Sequence, residues 1–106
     1  MEITIESPHI EISLELQKEI NARLSGLIKM YDRIVSCEVI LKKEKRDGQK
    51  DYCMEAKLLV PKGFLFVAEN AESFETALDK LVEDIKRQLN WHKEKLQEAH
   101  HHVDLN

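Results

Sequence analysis

The residue types that carry most enzyme chemistry are present in this sequence, but their spacing forms no recognisable catalytic motif. Cys37 and Cys53 lie in predicted strands with no histidine placed near them, and no serine stands in a G-x-S-x-G sequence. The three glycines are scattered along the chain, so there is no glycine-rich phosphate loop. The sequence therefore predicts neither an enzyme nor a small-molecule substrate, and we expect Cys37 to be a small core residue.

The histidines near the C-terminus are the best candidates for metal ligands. His92 could act with the adjacent His100, His101 and His102 to coordinate a divalent cation. However, three consecutive histidines lack the i, i+4 spacing that places two ligands on one helical face, and no acid or cysteine is clearly placed as a further ligand. We therefore predict a solvated tail, no metal site and no cofactor.

The cations of the last predicted helix indicate a different chemistry. Arg87, Trp91 and Lys95 are spaced i, i+4, i+8, which places them along one ridge of that helix. Trp91 points about 130° away from the apolar stripe, an unusual direction for a tryptophan in a soluble helix. An aromatic ring between two cations is suited to stacking on a base beside phosphate contacts. Packing of Trp91 against a neighbouring helix or loop is the other interpretation, and both stay open.

Length and composition indicate one small ordered domain. The 106 residues are 42% hydrophobic and include only three glycines and two prolines, which is typical of a globular protein. No apolar run is long enough to span a membrane, and the acidic, alternating N-terminus does not have the pattern of a signal peptide. Two cysteines without C-x-x-C spacing indicate reduced thiols, so we expect a cytoplasmic protein. The net charge of −4 gives no general preference for nucleic acid, but locally basic segments keep RNA binding open.

Hydrophobic periodicity predicts six elements in the order β-α-β-β-β-α. Alternating residues predict strands near 3–5, 35–42, 53–60 and 64–69, with turns at Asp47-Gly48 and at 61–63. Helical spacing predicts two helices, the first over 13–31 and the second beginning after Ser73. Their apolar stripes contain Leu16, Ile20, Leu24, Leu27 and Tyr31 in the first helix and Phe74, Leu78, Leu81, Val82, Ile85, Leu89 and Leu96 in the second.

These elements predict an α+β fold, a two-layer sandwich with a four-stranded mixed sheet. The initial strand, helix and strand favour a parallel pair with a right-handed crossover, and the two hairpins add antiparallel strands. Each helix has a single apolar stripe, so both helices must pack side by side on one face of the sheet. We expect one domain over residues 1–97 and a flexible C-terminal tail over 98–106.

The other face of the second hairpin is predicted to be more apolar than a solvated sheet requires. We expect Leu59, Leu65 and Val67 to lie there. Ordinary cross-strand packing is the favoured interpretation, and a surface for self-association or for a protein partner is the alternative.

Short segments along the chain carry a resemblance to a known family. They are IEIS at 10–13, YDRI at 31–34, VILKKE at 39–44, PKG at 61–63, ALD at 77–79 and KRQLNWHKEKL at 86–96. In this order, over about residues 1–97, the chain resembles the ribosome hibernation promoting factors and ribosome-associated inhibitors, also called sigma-54 modulation proteins. The family's β-α-β-β-β-α fold agrees with the order predicted above. Because the chain stops soon after the second helix, it is similar to the short form of the family.

The resemblance implies a protein that binds ribosomal RNA of the small subunit at the decoding region. There it would occupy the channel of messenger RNA and of the A- and P-site transfer RNAs, inhibit translation and stabilise inactive ribosomes during stress and stationary phase. The short form acts in the family with a separate small ribosome modulation factor, which is a second expected partner. The older family name suggests the alternative, a transcription-linked regulator that binds proteins through the outer face of the sheet.

The resemblance also implies which side chains contact RNA, to which we add Trp91 from the ridge pattern and Lys86 from the locally basic segment that contains Arg87. The residues expected to bind RNA are Arg23, Lys29, Lys43, Lys86, Arg87, Trp91, Lys93 and Lys95. Gly26, Asp84 and Trp91 stand where relatives carry lysine. Fewer cations weaken the salt-dependent part of RNA binding, whereas stacking on Trp91 would contribute about 1–3 kcal/mol per base.

Overall fold

The predicted order of strands and helices is confirmed. A computed structural model of the protein describes residues 2–31, 33–44, 52–61 and 63–105, with side chains as far as Trp91. Its elements are β1 (Glu2–Glu6), α1 (Leu14–Met30), β2 (Ser36–Lys43), β3 (Tyr52–Val60), β4 (Gly63–Ala71) and α2 (Phe74–Leu105). The predicted turn at Asp47-Gly48 lies outside the described residues.

The four strands form one mixed sheet in the order β1-β2-β3-β4. β1 pairs with β2 in parallel, and the other two neighbouring pairs are antiparallel. In the β2–β3 register Val39 lies opposite Ala56 and Leu41 opposite Met54. Directly opposite residues share a face of the sheet, and these four side chains are all buried, so this face forms the floor of the core.

Each helix begins directly after a serine that caps its first turn. The Ser13 hydroxyl accepts a hydrogen bond from the backbone N–H of Leu16 at 3.0 Å. The Ser73 hydroxyl accepts one from the N–H of Thr76 at 3.1 Å. Each cap satisfies one of the N–H groups that the first turn of a helix leaves without a partner inside the helix. The caps therefore set where each apolar stripe starts relative to the sheet.

The apolar stripes of both helices are buried on the same face of the sheet. The first contributes Leu16, Ile20, Leu24, Leu27 and Tyr31, and the second contributes Ala77, Leu78, Leu81, Val82, Ile85 and Leu89. Phe74 packs against this cluster and is partly buried. The backbone of α2 continues to Leu105, beyond the predicted domain end at 97. The division into a domain at 1–97 and a tail at 98–106 stays a prediction.

The prediction for the outer face of the second hairpin was wrong for Leu65 and Val67. Val60 pairs with Gly63, so Leu65 lies opposite the buried Leu58 and faces the core, where Val67 is buried as well. The outer face instead carries the apolar side chains Leu59, Phe64 and Phe66. The error has a simple cause, since shifting the assumed hairpin register by one residue moves every side chain to the other face.

Cys37 is a core residue, as predicted. Its side chain is completely buried on β2. Removal from water, with a smaller contribution from the neighbouring Glu38 carboxylate, raises the pKa of the Cys37 thiol from 9.0 to about 11. The thiol is therefore protonated at neutral pH, and its role is packing.

We expect Cys37 to resist alkylation as long as the protein is folded. In a Cys53→Ser variant, in which Cys37 is the remaining thiol, iodoacetamide at pH 8 should react about 100-fold more slowly in buffer than in denaturant, because the thiolate is the nucleophile. The unfolded thiol ionises near pH 9 and the folded one near pH 11, so the stability contributed by this group should fall as pH rises between these values. Equal labelling rates in buffer and denaturant would contradict the assignment.

Candidate nucleic-acid interface

The two helices lie side by side and run in the same direction. Near the middle of α1, the Arg23 guanidinium contacts the Asp79 carboxylate at the start of α2, with 2.8 Å between Nη1 and Oδ1. Further along both helices, Met30 and Asn90 border a common groove. Contacts that advance in the same direction along both chains require parallel helices. The sheet supports them from below, so their upper sides form one continuous exposed surface.

Two of the predicted RNA-binding cations are adjacent on this surface. The Arg87 side chain is 75% exposed, and Lys86 beside it is about half exposed. Each has an acid one turn earlier in α2, with Arg87 Nη1 3.4 Å from Asp84 Oδ1 and Lys86 Nζ 3.7 Å from Glu83 Oε1. Exposed ion pairs of this kind contribute about 0–1 kcal/mol. Both cations can therefore exchange a carboxylate for a phosphate at little cost.

Trp91 extends the same surface by one turn. It is 56% exposed and is not part of the core cluster, as the ridge pattern required. More than half of the Trp91 side chain therefore faces solvent beside Arg87, and its stacking on a base stays a prediction. Lys93 and Lys95 follow in α2, but their side chains lie outside the part of the structure that is described. We name Lys86, Arg87 and Trp91 the α2 surface.

The other residues predicted to bind RNA lie at different distances from the α2 surface. Lys29 is exposed on the last turn of α1, the part of that helix that borders the groove. Arg23 is half-buried by its pair with Asp79, so it joins the helices and has less freedom to bind phosphate. Lys43 lies at the opposite end of the sheet, with its Nζ 5.0 Å from the centroid of the Tyr52 ring. The structure therefore does not bring Lys43 together with the α2 surface.

Sequence reasoning named Asp84 but not the ion pairs that Glu83 and Asp84 form with Lys86 and Arg87, and it missed the residues that line the groove. Glu83 and Asp84 precede Lys86 and Arg87 by three residues, a spacing that places opposite charges on one side of a helix. That spacing was a readable signal. The signal for the groove was weaker. The groove forms only where the C-terminal turn of α1 lies next to the middle of α2, and no local spacing shows that contact.

Gly26 gives a prediction about α1. Among the described residues, nothing lies within 4 Å of a Cβ added at Gly26, so a side chain fits without displacement. We expect Gly26→Lys to raise the free energy of unfolding by about 0.5–1 kcal/mol, because glycine is a poor helix former. Urea denaturation measures this. Ala22→Lys is the matched control, since it adds the same charge on exposed α1 without removing a glycine; an equal gain in both variants would contradict the explanation.

Neither a membrane-spanning helix nor a group of metal ligands is found among the described residues. None of the helices in the described part of the chain is both long and apolar enough to cross a membrane. Among the residues that the structure describes, no three His, Cys, Asp or Glu side chains are grouped as a metal ion would need.

Fold and surface define a small α+β domain whose paired helices present cations and an exposed indole. A sequence model of the family described as Sigma 54 modulation protein / S30EA ribosomal protein matches residues 3–97. The chain belongs to this family, which confirms the resemblance noted in the sequence.

Curated relatives and solved structures agree with this membership. The chain is 33% identical over 97 residues to the ribosome hibernation promoting factor of Pseudomonas putida, covering 92% of this chain and 91% of that one. It is 31% identical over 98 residues to the protein of the same name from Escherichia coli K12, covering 92% and 99%. In fold it is similar to a ribosomal subunit interface protein from Coxiella burnetii, with a TM-score of 0.77 at 17% identity over 88% of this chain and 98% of that chain. The N-terminal domain of Thermus thermophilus Protein Y gives 0.67 at 21% identity, covering 83% and 94%.

Proposed function

We propose that this protein is a ribosome hibernation factor that binds ribosomal RNA of the small subunit and catalyses no reaction. The family and the names of the relatives support an association with the ribosome. The observation that carries the proposal is the α2 surface, where two cations and an exposed ring lie next to one another. Such a surface combines phosphate contacts with base stacking, which is how proteins bind unpaired RNA.

The proposed position is the channel that messenger RNA and transfer RNA occupy at the decoding region. A folded domain placed there excludes both ligands by its volume alone, so translation is blocked without a chemical step. Idle ribosomes are stabilised in the same way, because bound protein adds contacts that the empty subunit lacks. A separate ribosome modulation factor is a further proposed partner in forming inactive ribosomes.

Co-sedimentation with small ribosomal subunits at two salt concentrations tests the proposal. Phosphate contacts from Lys29, Lys86 and Arg87 would release about one counterion each, so the association constant should fall roughly 15- to 60-fold between 50 and 200 mM salt. Binding that does not change with salt, or no binding at either concentration, would contradict the RNA assignment.

The acids of the α2 surface should restrain its affinity for RNA in general. We expect Glu83→Gln with Asp84→Asn to strengthen binding to an RNA of unrelated sequence by roughly three- to tenfold, because each exposed pair that competes for a cation contributes up to about 1 kcal/mol. Filter binding at low salt measures it. The control is Glu2→Gln with Glu38→Gln, which changes the net charge equally on the sheet. A similar rise in the control would assign the effect to net charge alone.

A second candidate function rests on the outer face of the sheet. Phe64 and Phe66 are 57% and 56% exposed there, and Leu59 lies opposite Phe64. Lys57, opposite Phe66, places its ammonium 4.5 Å from the centroid of the Phe64 ring. Neighbouring exposed apolar side chains are typical of protein-binding surfaces, which suits a regulator that acts through a protein partner. If Phe66→Ser abolishes activity while RNA binding and folding are preserved, this function replaces the first.

A further inference from the structure

The groove between the two helices is a defined recess next to the α2 surface. Its volume is about 150 Å³, and it is lined by Leu27, Met30, Tyr31, Lys86, Leu89 and Asn90. We call it the inter-helix groove. Residues of both helices contribute to it, so it exists only when they are packed side by side.

The walls of the inter-helix groove differ from its rim. Leu27, Tyr31 and Leu89 are buried and provide an apolar and aromatic floor. Met30, which is 70% exposed, and Asn90 stand at the opening. A cavity of about 150 Å³ in another protein holds one benzene molecule, so the inter-helix groove has room for a single six-membered ring. It is too small for a drug-sized ligand, whose sites measure roughly 300–1,000 Å³.

We propose that the inter-helix groove binds one unstacked pyrimidine base of the small-subunit RNA. The inference rests on the proposed function and adds a base contact to its phosphate contacts. The Asn90 amide both donates and accepts hydrogen bonds, which matches the edge of a base. The Lys86 ammonium, 3.7 Å from Glu83 Oε1, is held loosely enough to turn to the phosphate of the same nucleotide.

The charge around the inter-helix groove favours a base within RNA over a free nucleotide. Arg87, the neighbour of Lys86, contacts the RNA backbone beyond the bound base. The phosphates of adjoining nucleotides therefore add to the affinity. An open recess that holds one ring gains little from a mononucleotide alone. Linked contacts raise the effective concentration of the base at the groove, because the backbone is already bound.

Two variants of exposed groove residues test the inference by co-sedimentation with small subunits. Met30→Trp fills the groove and Asn90→Ala removes the amide, and each should weaken binding about tenfold, in the range expected for one stacked base. Their salt dependence should stay that of the natural protein, because no phosphate contact is lost. Leu14→Trp and Asn21→Ala, exposed positions on α1 outside the groove, are the matched controls and should change the affinity less than twofold.

A spectroscopic measurement separates a base contact from a purely structural effect. With a mixed-sequence RNA hexamer, the methyl resonance of Met30 should show an aromatic ring-current shift that an abasic hexamer does not produce. Equal shifts with the abasic hexamer, or with a mixture of the four free ribonucleoside monophosphates at the same concentration, would overturn the inference. If the natural protein binds small subunits but the groove variants bind equally well, the inference fails and the proposed function stands. If the natural protein does not bind, both fail.

Discussion

Arg87→Glu is expected to weaken binding to small ribosomal subunits about 30-fold at low salt. An opposite charge at about 4 Å contributes roughly 1 kcal/mol in water, so changing attraction into repulsion costs about 2 kcal/mol. The introduced carboxylate also lies beside Asp84, so two acids would stand where the natural protein has an ion pair. Co-sedimentation over a salt series measures how steeply the association constant falls as the salt concentration rises. We expect this slope to decrease by the amount that one phosphate contact contributes.

Lys57→Glu is the matched control for Arg87→Glu. It changes the net charge by the same amount but lies on the outer face of the sheet, on the side opposite the helices. We expect its affinity for small subunits to stay within about twofold of the natural protein, because exposed charges well separated from a contact are screened. Equal losses in both variants would show that only net charge matters. A loss confined to Lys57→Glu would favour the protein-binding function of the sheet.

Leu81→Ala is expected to have the largest effect on stability, lowering the free energy of unfolding by about 2–5 kcal/mol. Leu81 is completely buried where α2 packs on the sheet. Replacing leucine by alanine removes its contacts and leaves a cavity that the surrounding side chains fill only in part. The free energy of unfolding of native proteins is about 5–15 kcal/mol, so this substitution would remove a large fraction of it. Thermal denaturation should show the melting temperature falling by roughly 10 °C or more.

The control for Leu81→Ala makes the same substitution where the leucine contacts water. Leu14 is 65% exposed at the start of α1. Leu14→Ala should change the free energy of unfolding by less than about 0.5 kcal/mol. If the two variants melted at the same temperature, the packing of α2 on the sheet would be contradicted. At a temperature where Leu81→Ala is still folded, it should bind small subunits normally, because the α2 surface is unchanged.

Local patterns were sufficient for most of the fold. Buried side chains recur at the spacing of a helix from Leu16 to Leu27 and from Leu78 to Leu89, and in alternation on β2 and β3. This period follows from the geometry of each element and needs no knowledge of its neighbours. The exposure of Arg87 and Trp91 was predictable in the same way, because the side of a helix opposite its apolar stripe faces solvent.

The pairing of elements distant in sequence is what local patterns left undecided. Leu65 was assigned to the wrong face because a hairpin's register depends on how its strands meet, and one residue of difference reverses the result. Local patterns also do not show the ion pair that joins Arg23 to Asp79 of the other helix, and the RNA contact of Arg23 stays a prediction.

The sequence by itself determined the order of the elements, their buried faces and the exposed ridge of α2, because these properties depend on residues within a few turns of one another. Only the tertiary structure decided that Arg23 pairs with Asp79 of the other helix and where the inter-helix groove lies. Met30 and Asn90 border that groove although sixty positions separate them in the chain. Such neighbours are selected by the packing of both helices on one sheet, a choice made by the whole core and not by any single segment.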